Sequence, residues 1–105
     1  MYCIDRVIEG VYVGNEPAAK RRAILKQNGI THILIAGCNL HAHYPQNFTY
    51  KIINVHDTSS TNIQQHFDDC NQFIDQALSQ NGRVFIHCYQ GISRSSTIMI
   101  AFLMW

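Results

Sequence analysis

Four residues with complementary chemistry fall within one short stretch: Cys88, Gly91, Arg94 and Ser95. Together they provide what is needed to grip a phosphate ester and displace one of its oxygens. A cysteine thiolate is a strong nucleophile, and it is ionised at neutral pH when its pKa is held below the free value of about 8.5. Arg94 carries a planar fork that can grip two phosphate oxygens at once, which a lysine does not reproduce. Gly91 permits the backbone angles and close approach of a loop whose N–H groups converge on one point. Tyr89, Gln90, Gly91, Ile92 and Ser93 would supply those amides. Ser95 can hydrogen-bond the sulfur and ease its departure from a phosphocysteine intermediate. His87 is expected to orient the loop through hydrogen bonding rather than to touch substrate.

Such a trap needs a strand to deliver the cysteine and a helix to receive the loop. Val84, Phe85 and Ile86 form a short β-branched and aromatic run, which predicts a strand covered on both faces. From Thr97 the pattern becomes apolar and helical through Met104. The phosphate-binding loop then lies between the last strand and the following helix, at a helix N-terminus that favours anions. The rival reading is an inert buried cysteine beside a surface arginine. It leaves the strand before the loop and the helix after it without a reason.

Breaking a phosphoester also requires a proton for the leaving oxygen, and a poised acid commonly contributes about 10²–10⁴-fold. Asp57 is the candidate. It follows the strand predicted over Tyr50–Val55, on the polar loop His56-Asp57-Thr58-Ser59-Ser60. Its rival role is to cap a turn. Asp68 and Asp69 fall on the next helix and read as solvated.

The remaining elements supply the frame. Ile8 to Gly14 alternates and ends in glycine, which predicts one strand at a sheet edge. Asn15-Glu16-Pro17 starts a helix that Asn28-Gly29 stops, with Ala18, Ala19, Ala23, Ile24 and Leu25 as its apolar stripe. Lys20-Arg21-Arg22 lies on that helix and reads mainly as a solvated face, with a basic docking motif as the alternative. Ile30 to Ala36 predicts a central strand. The loop from Gly37 to Asn47 holds Cys38, His41 and His43 at a spacing that suits a metal. A structural zinc site needs four ligands, however, and no fourth is near, so no metal is expected. Thr61-Asn62-Ile63-Gln64 has the form of a capping box. After it, Ile63, Phe67, Cys70, Phe73, Ile74, Ala77 and Leu78 share one face of a helix that Asn81-Gly82 ends. Strands alternating with helices predict an α/β fold: a central, mostly parallel mixed sheet with helices on both faces and the site at the carboxyl ends of central strands.

Bulk properties narrow the function further. The chain has 105 residues, 47% hydrophobic and 14% charged, which suits one domain over 1–105. A net charge of +1 gives no electrostatic case for nucleic acid or a membrane surface as partner. No run approaches the roughly 18 apolar residues of a membrane span, and no signal peptide is evident. Cys3, Cys38, Cys70 and Cys88 lack the spacing of a disulfide framework, so an intracellular protein, cytoplasmic or nuclear, is expected.

His87-Cys88-x-x-Gly91-x-x-Arg94-Ser95 resembles the signature loop of the cysteine-dependent protein tyrosine phosphatases. With the apolar helix after it, Gly91-Ile92-Ser93-Arg94-Ser95 is most similar to the dual-specificity branch, which includes the MAP-kinase phosphatases. The resemblance runs from Gly10 to the last residue. It implies a cofactor-free protein phosphatase acting on phosphotyrosine and on phosphoserine or phosphothreonine, with a MAP kinase as a possible substrate. It also implies Cys88 as nucleophile and Arg94 as clamp. Val55-His56-Asp57 matches the position at which the family carries its general acid. Inositol-lipid phosphatases of the superfamily place lysines in this loop, whereas Tyr89, Gln90, Ile92 and Ser93 are uncharged, so protein substrates fit better. A lipid or RNA phosphatase is one rival and a phosphoprotein-binding module without useful turnover is another. The chain stops at Trp105 inside an apolar run, where the family's domain continues with further helices; a truncated domain is therefore expected. Cys38 follows a strand expected to end at the same sheet edge as Cys88, which leaves open a disulfide between them after oxidation.

Overall fold

The computed structural model describes residues 4–37, 41–53 and 67–88, and for Phe67 and Cys88 the backbone alone. Its strands are β1 (Ile4–Ile8), β2 (Val11–Asn15), β3 (His32–Ala36), β4 (Thr49–Ile53) and β5 (Val84–Cys88). Its helices are α1 (Glu16–Ala19), α2 (Arg22–Gln27) and α3 (Phe67–Ser79). The strands form one sheet in the order β1-β2-β5-β3-β4. β2, β5, β3 and β4 are parallel, and β1 pairs antiparallel with β2. The expected mixed, mostly parallel α/β sheet is present.

Strand alternation sends side chains to two cores. Val11, Val13, Leu34, Ala36, Val84 and Ile86 face α3, where Cys70, Ile74 and Ala77 meet them. Tyr12, Ile33, Ile35 and Phe85 face the other way, against Ala18, Ala19 and Leu25 of α1 and α2. Helices therefore cover both faces. β5 sits between β2 and β3, and Val84, Phe85 and Ile86 are all fully buried, as their run predicts. Each such side chain contributes about 1.5–3 kcal/mol through burial.

α3 keeps the predicted stripe, with Cys70, Ile74 and Ala77 buried at helical spacing and Phe73 and Leu78 packed beside them. Its end is built as expected. Asn81 takes a left-handed φ of 62°, and the Gly82 N–H donates to the Ala77 carbonyl at 2.8 Å. A Cβ at position 82 would meet Thr31 Oγ1 at 2.5 Å and the Ala77 carbonyl oxygen at 2.9 Å, so only glycine fits there. The capping box over Thr61–Gln64 lies outside the described residues.

Two expectations are corrected. The alternating run from Ile8 to Gly14 is not one edge strand. Gly10, at φ +87°, reverses the chain, so that Ile4–Ile8 forms the edge and Val11–Asn15 lies inside the sheet. Nor is the segment from Glu16 to Gln27 one helix. The Lys20 carbonyl, which a continuous helix would offer to residue 24, accepts the Tyr44 hydroxyl instead. Arg21 then leaves helical space at φ −106°, ψ 87°. The break turns Ala23 outward and leaves Ile24 half-buried, so the buried stripe reduces to Ala18, Ala19 and Leu25.

The strand expected over Tyr50–Val55 is observed as Thr49–Ile53 at the second sheet edge, and Asn54 and Val55 lie outside the described residues. No helix intervenes between β3 and β4 among the described residues; that crossover is held by aromatic packing. Tyr44 and Phe48 meet edge to face at 6.4 Å, as do Phe48 and Tyr50, and the Tyr50 hydroxyl accepts the Tyr44 N–H at 3.1 Å.

Candidate active site

The register of the sheet places the candidate nucleophile. Cys88 is the last residue of β5, level with Asn15 at the end of β2 and Ala36 at the end of β3. Ala36 is in turn level with Ile53 at the end of β4. Four parallel strands thus finish in one row: Asn15, Cys88, Ala36 and Ile53. The chain reached β3 from β2 by leaving a gap between them, and β5 later filled it. β5 therefore ends at the topological switch point, where open α/β sheets form their ligand crevice.

Each neighbour in this row opens onto a connection. Asn15 caps α1, its Oδ1 accepting the Ala18 N–H at 3.2 Å, so the first helix starts beside Cys88. Past Ala36, the Gly37 N–H continues the ladder to the Ile53 carbonyl at 3.1 Å. Asp57, Tyr89, Gln90, Gly91, Ile92, Ser93, Arg94 and Ser95 all lie outside the described residues, as do Cys38 and the helix expected from Thr97.

His87 is described, and it is fully buried. It sits level with Gly14 and Ile35, and its ring stacks on Phe85 with centroids 5.6 Å apart and planes 26° apart. Strand alternation turns both rings toward α1 and α2.

Cys70 offers a contrast in cysteine chemistry. It is completely buried on α3, and desolvation pushes its thiol up to about 11. A thiol that stays protonated and enclosed cannot act as the nucleophile. Asp68 and Asp69, the alternative acids, are exposed on the first turn of α3. Among the described residues no three His, Cys, Asp or Glu side chains gather as metal ligands, and Cys38 of the sequence-level candidate lies outside them.

The sequence did not single out Asn15 as a site residue. The Asn-Glu-Pro start of the helix was visible, but its place beside Cys88 depends on β5 pairing with β2, a contact more than 70 residues apart in the chain.

Comparison with known proteins agrees with this fold. Residues 11–105 match the family described as dual specificity phosphatase, catalytic domain, and the chain belongs to that family. It is 41% identical over 101 residues to dual specificity protein phosphatase 1B of Arabidopsis thaliana, covering 96% of this chain and 60% of that protein. It is 42% identical over 100 residues to MAP kinase phosphatase with leucine-rich repeats protein 2 of Dictyostelium discoideum, covering 95% of this chain and 14% of that one. The crystal structure of human tyrosine phosphatase-like serine/threonine/tyrosine-interacting protein superposes with a TM-score of 0.91 at 30% identity, over 96% of this chain and 72% of that one. The chain spans less than two thirds of the length of the first two relatives. Among the described residues no helix is long and apolar enough to cross a membrane.

Proposed function

We propose that residues 1–105 form a cysteine-dependent protein phosphatase domain that hydrolyses phosphotyrosine and phosphoserine or phosphothreonine in proteins. The observation that carries this reading is the position of Cys88, last on the buried central strand at the switch point of the sheet. In this reading the Cys88 thiolate attacks phosphorus as the bond to the leaving oxygen breaks, and Asp57 gives that oxygen its proton. Arg94 and the amides of Tyr89, Gln90, Gly91, Ile92 and Ser93 hold the remaining phosphoryl oxygens. Asp57 then takes a proton from water as water attacks the phosphocysteine. The thiolate departs with help from Ser95, and His87 supports the loop from beneath. Membership of the family and relatives named as MAP kinase phosphatases favour a phosphorylated protein, such as a MAP kinase, as substrate inside the cell. The site residues need neither cofactor nor metal for these steps.

The human neighbour's name, phosphatase-like and interacting, favours a second reading: a phosphoprotein-binding module. Hydrolysis of an aryl phosphate by the 105-residue chain separates the two. Turnover that Cys88→Ser reduces to below about one per cent, with phosphopeptide binding retained, supports the phosphatase. Binding without turnover by the unmodified chain would leave the module.

A further inference from the structure

Two strands flank β5 at the end where Cys88 stands, and the residues that follow them border the site. Gly37 follows Ala36, and Glu16 follows Asn15. Of these two, Glu16 alone is charged. Neighbouring strands lie about 4.8 Å apart and consecutive Cα atoms about 3.8 Å, so the Glu16 Cα is within about 9 Å of the Cys88 Cα. Its backbone is pinned. The Asn15 side chain accepts the Ala18 N–H at 3.2 Å, and the buried Ala18 and Ala19 hold α1 against the sheet. The carboxylate itself is lightly used. Its Oε1 meets the Lys20 ammonium at 3.5 Å, one helical turn away, with the lysine 58% and the acid 18% exposed. Such a pair is weak. No other partner of this carboxylate is found among the described residues. An acid in the first turn also suits the helix dipole, but α1 has only four residues in which to build one.

We propose that Glu16 is a specificity-determining residue, whose carboxylate receives an arginine or lysine two positions from the phosphorylated residue of a protein substrate. The inference rests on the phosphatase reading above and adds which flanking sequence that site selects. In an extended peptide two residues span about 7 Å. With the phosphorylated side chain directed at Cys88, a long basic side chain at that spacing reaches back to the rim where Glu16 stands. The incoming cation displaces Lys20, whose exposed ammonium returns to water. Arginine gains more than lysine, because its planar fork holds both carboxylate oxygens. An acidic flanking residue meets like charge and is selected against. The rival source of such a preference is the first turn of α3, which carries Asp68 and Asp69, both exposed. α3 runs back toward the start of β5, so that turn also lies at the site end of the sheet.

The test uses two phosphotyrosine peptides. Two positions to either side of the phosphorylated residue, one carries arginine and the other citrulline, the uncharged isostere of arginine. The readout is the ratio of their kcat/KM values on one protein preparation, in which any loss of folded protein cancels. At low salt the wild type should favour the arginine peptide about threefold, expressed in KM, and high salt should shrink that preference. Glu16→Gln should erase the preference and Glu16→Lys should reverse it. Lys20→Gln, which removes the competing ammonium, should enlarge it. Asp68→Asn and Asp69→Asn should leave it in place. Equal rates for the two peptides in the wild type, or a preference that survives Glu16→Gln, would overturn the assignment. So would a preference lost only in the α3 variants. If neither peptide nor an aryl phosphate turns over, the phosphatase reading fails by itself. The ratio of the two peptides' dissociation constants, measured by fluorescence anisotropy, then decides: a Glu16-dependent preference keeps the residue's role, and none removes it.

Discussion

At the scale of single residues, the proposed mechanism turns on two protonation states that must coexist. Cys88 has to be ionised and Asp57 protonated, although a carboxyl is ordinarily the stronger acid by several units. In that proposal Arg94 and the amides of Tyr89, Gln90, Gly91, Ile92 and Ser93 would favour the thiolate, and Asp57 has to hold its proton in the free enzyme, whose ionisations kcat/KM reports. The product of the two fractions makes kcat/KM bell-shaped in pH. The acid limb should follow the thiol, and the second ionisation of the substrate phosphate at about pH 6. The alkaline limb should follow loss of the Asp57 proton. Asp57→Asn should flatten that alkaline limb and slow alkyl phosphates by about 10²-fold or more, because their leaving oxygens need a proton. Aryl phosphates with acidic leaving groups should slow much less. Equal losses on both substrates with an unchanged alkaline limb would move the acid elsewhere, with Asp68 and Asp69 on α3 next to test.

At the scale of elements, much of the frame was legible, and each miss has a physical cause. β5 was readable because a strand buried on both faces is a short apolar run. α3 was readable because its stripe repeats at helical spacing, and Cys70 was placed in the core by that stripe alone. The hairpin at Gly10 escaped because apolar alternation continues across a residue that reverses the chain. The α1–α2 break escaped because its partner, Tyr44, lies 24 residues from Lys20 in sequence. Arg94, Asp57 and the loop from Tyr89 to Ser93 rest on residue types and spacing alone and lie outside the described residues, whereas the row that brings Asn15, Cys88, Ala36 and Ile53 level is a property of strand order that the sequence does not display. The Tyr44 contact makes a prediction at this scale. Tyr44→Phe should destabilise the domain by about 0.5–1.5 kcal/mol, the usual net worth of one hydrogen bond, seen as a lower urea midpoint at unchanged slope. An unchanged midpoint would mean that Lys20-Arg21 breaks the helix locally, without help from Tyr44.

At the scale of the whole molecule, the buried thiol of Cys70 ties global stability to alkaline pH. Its pKa rises from 9.0 to about 11 on folding because burial disfavours the thiolate. Between those values the folded chain holds a proton that the unfolded chain has lost. Stability is therefore undiminished below pH 9 and falls as pH rises toward 11, with no further loss from this group beyond. Two units correspond to at most about 3 kcal/mol, a large share of the 5–15 kcal/mol typical of small domains. Tyr50 acts in the same direction, since burial also raises its phenol above 10.0, so the window from pH 9 to 10 isolates the thiol best. Urea unfolding of the wild type should show a midpoint that declines across that window. Cys70→Ala, less stable at pH 7 because it leaves a small cavity beside Ile74, should show a flatter profile there. Parallel profiles for the two proteins would mean that the thiolate is tolerated inside the fold, by water entry or by the nearby Lys51 ammonium, which already pulls the pKa of Cys70 down.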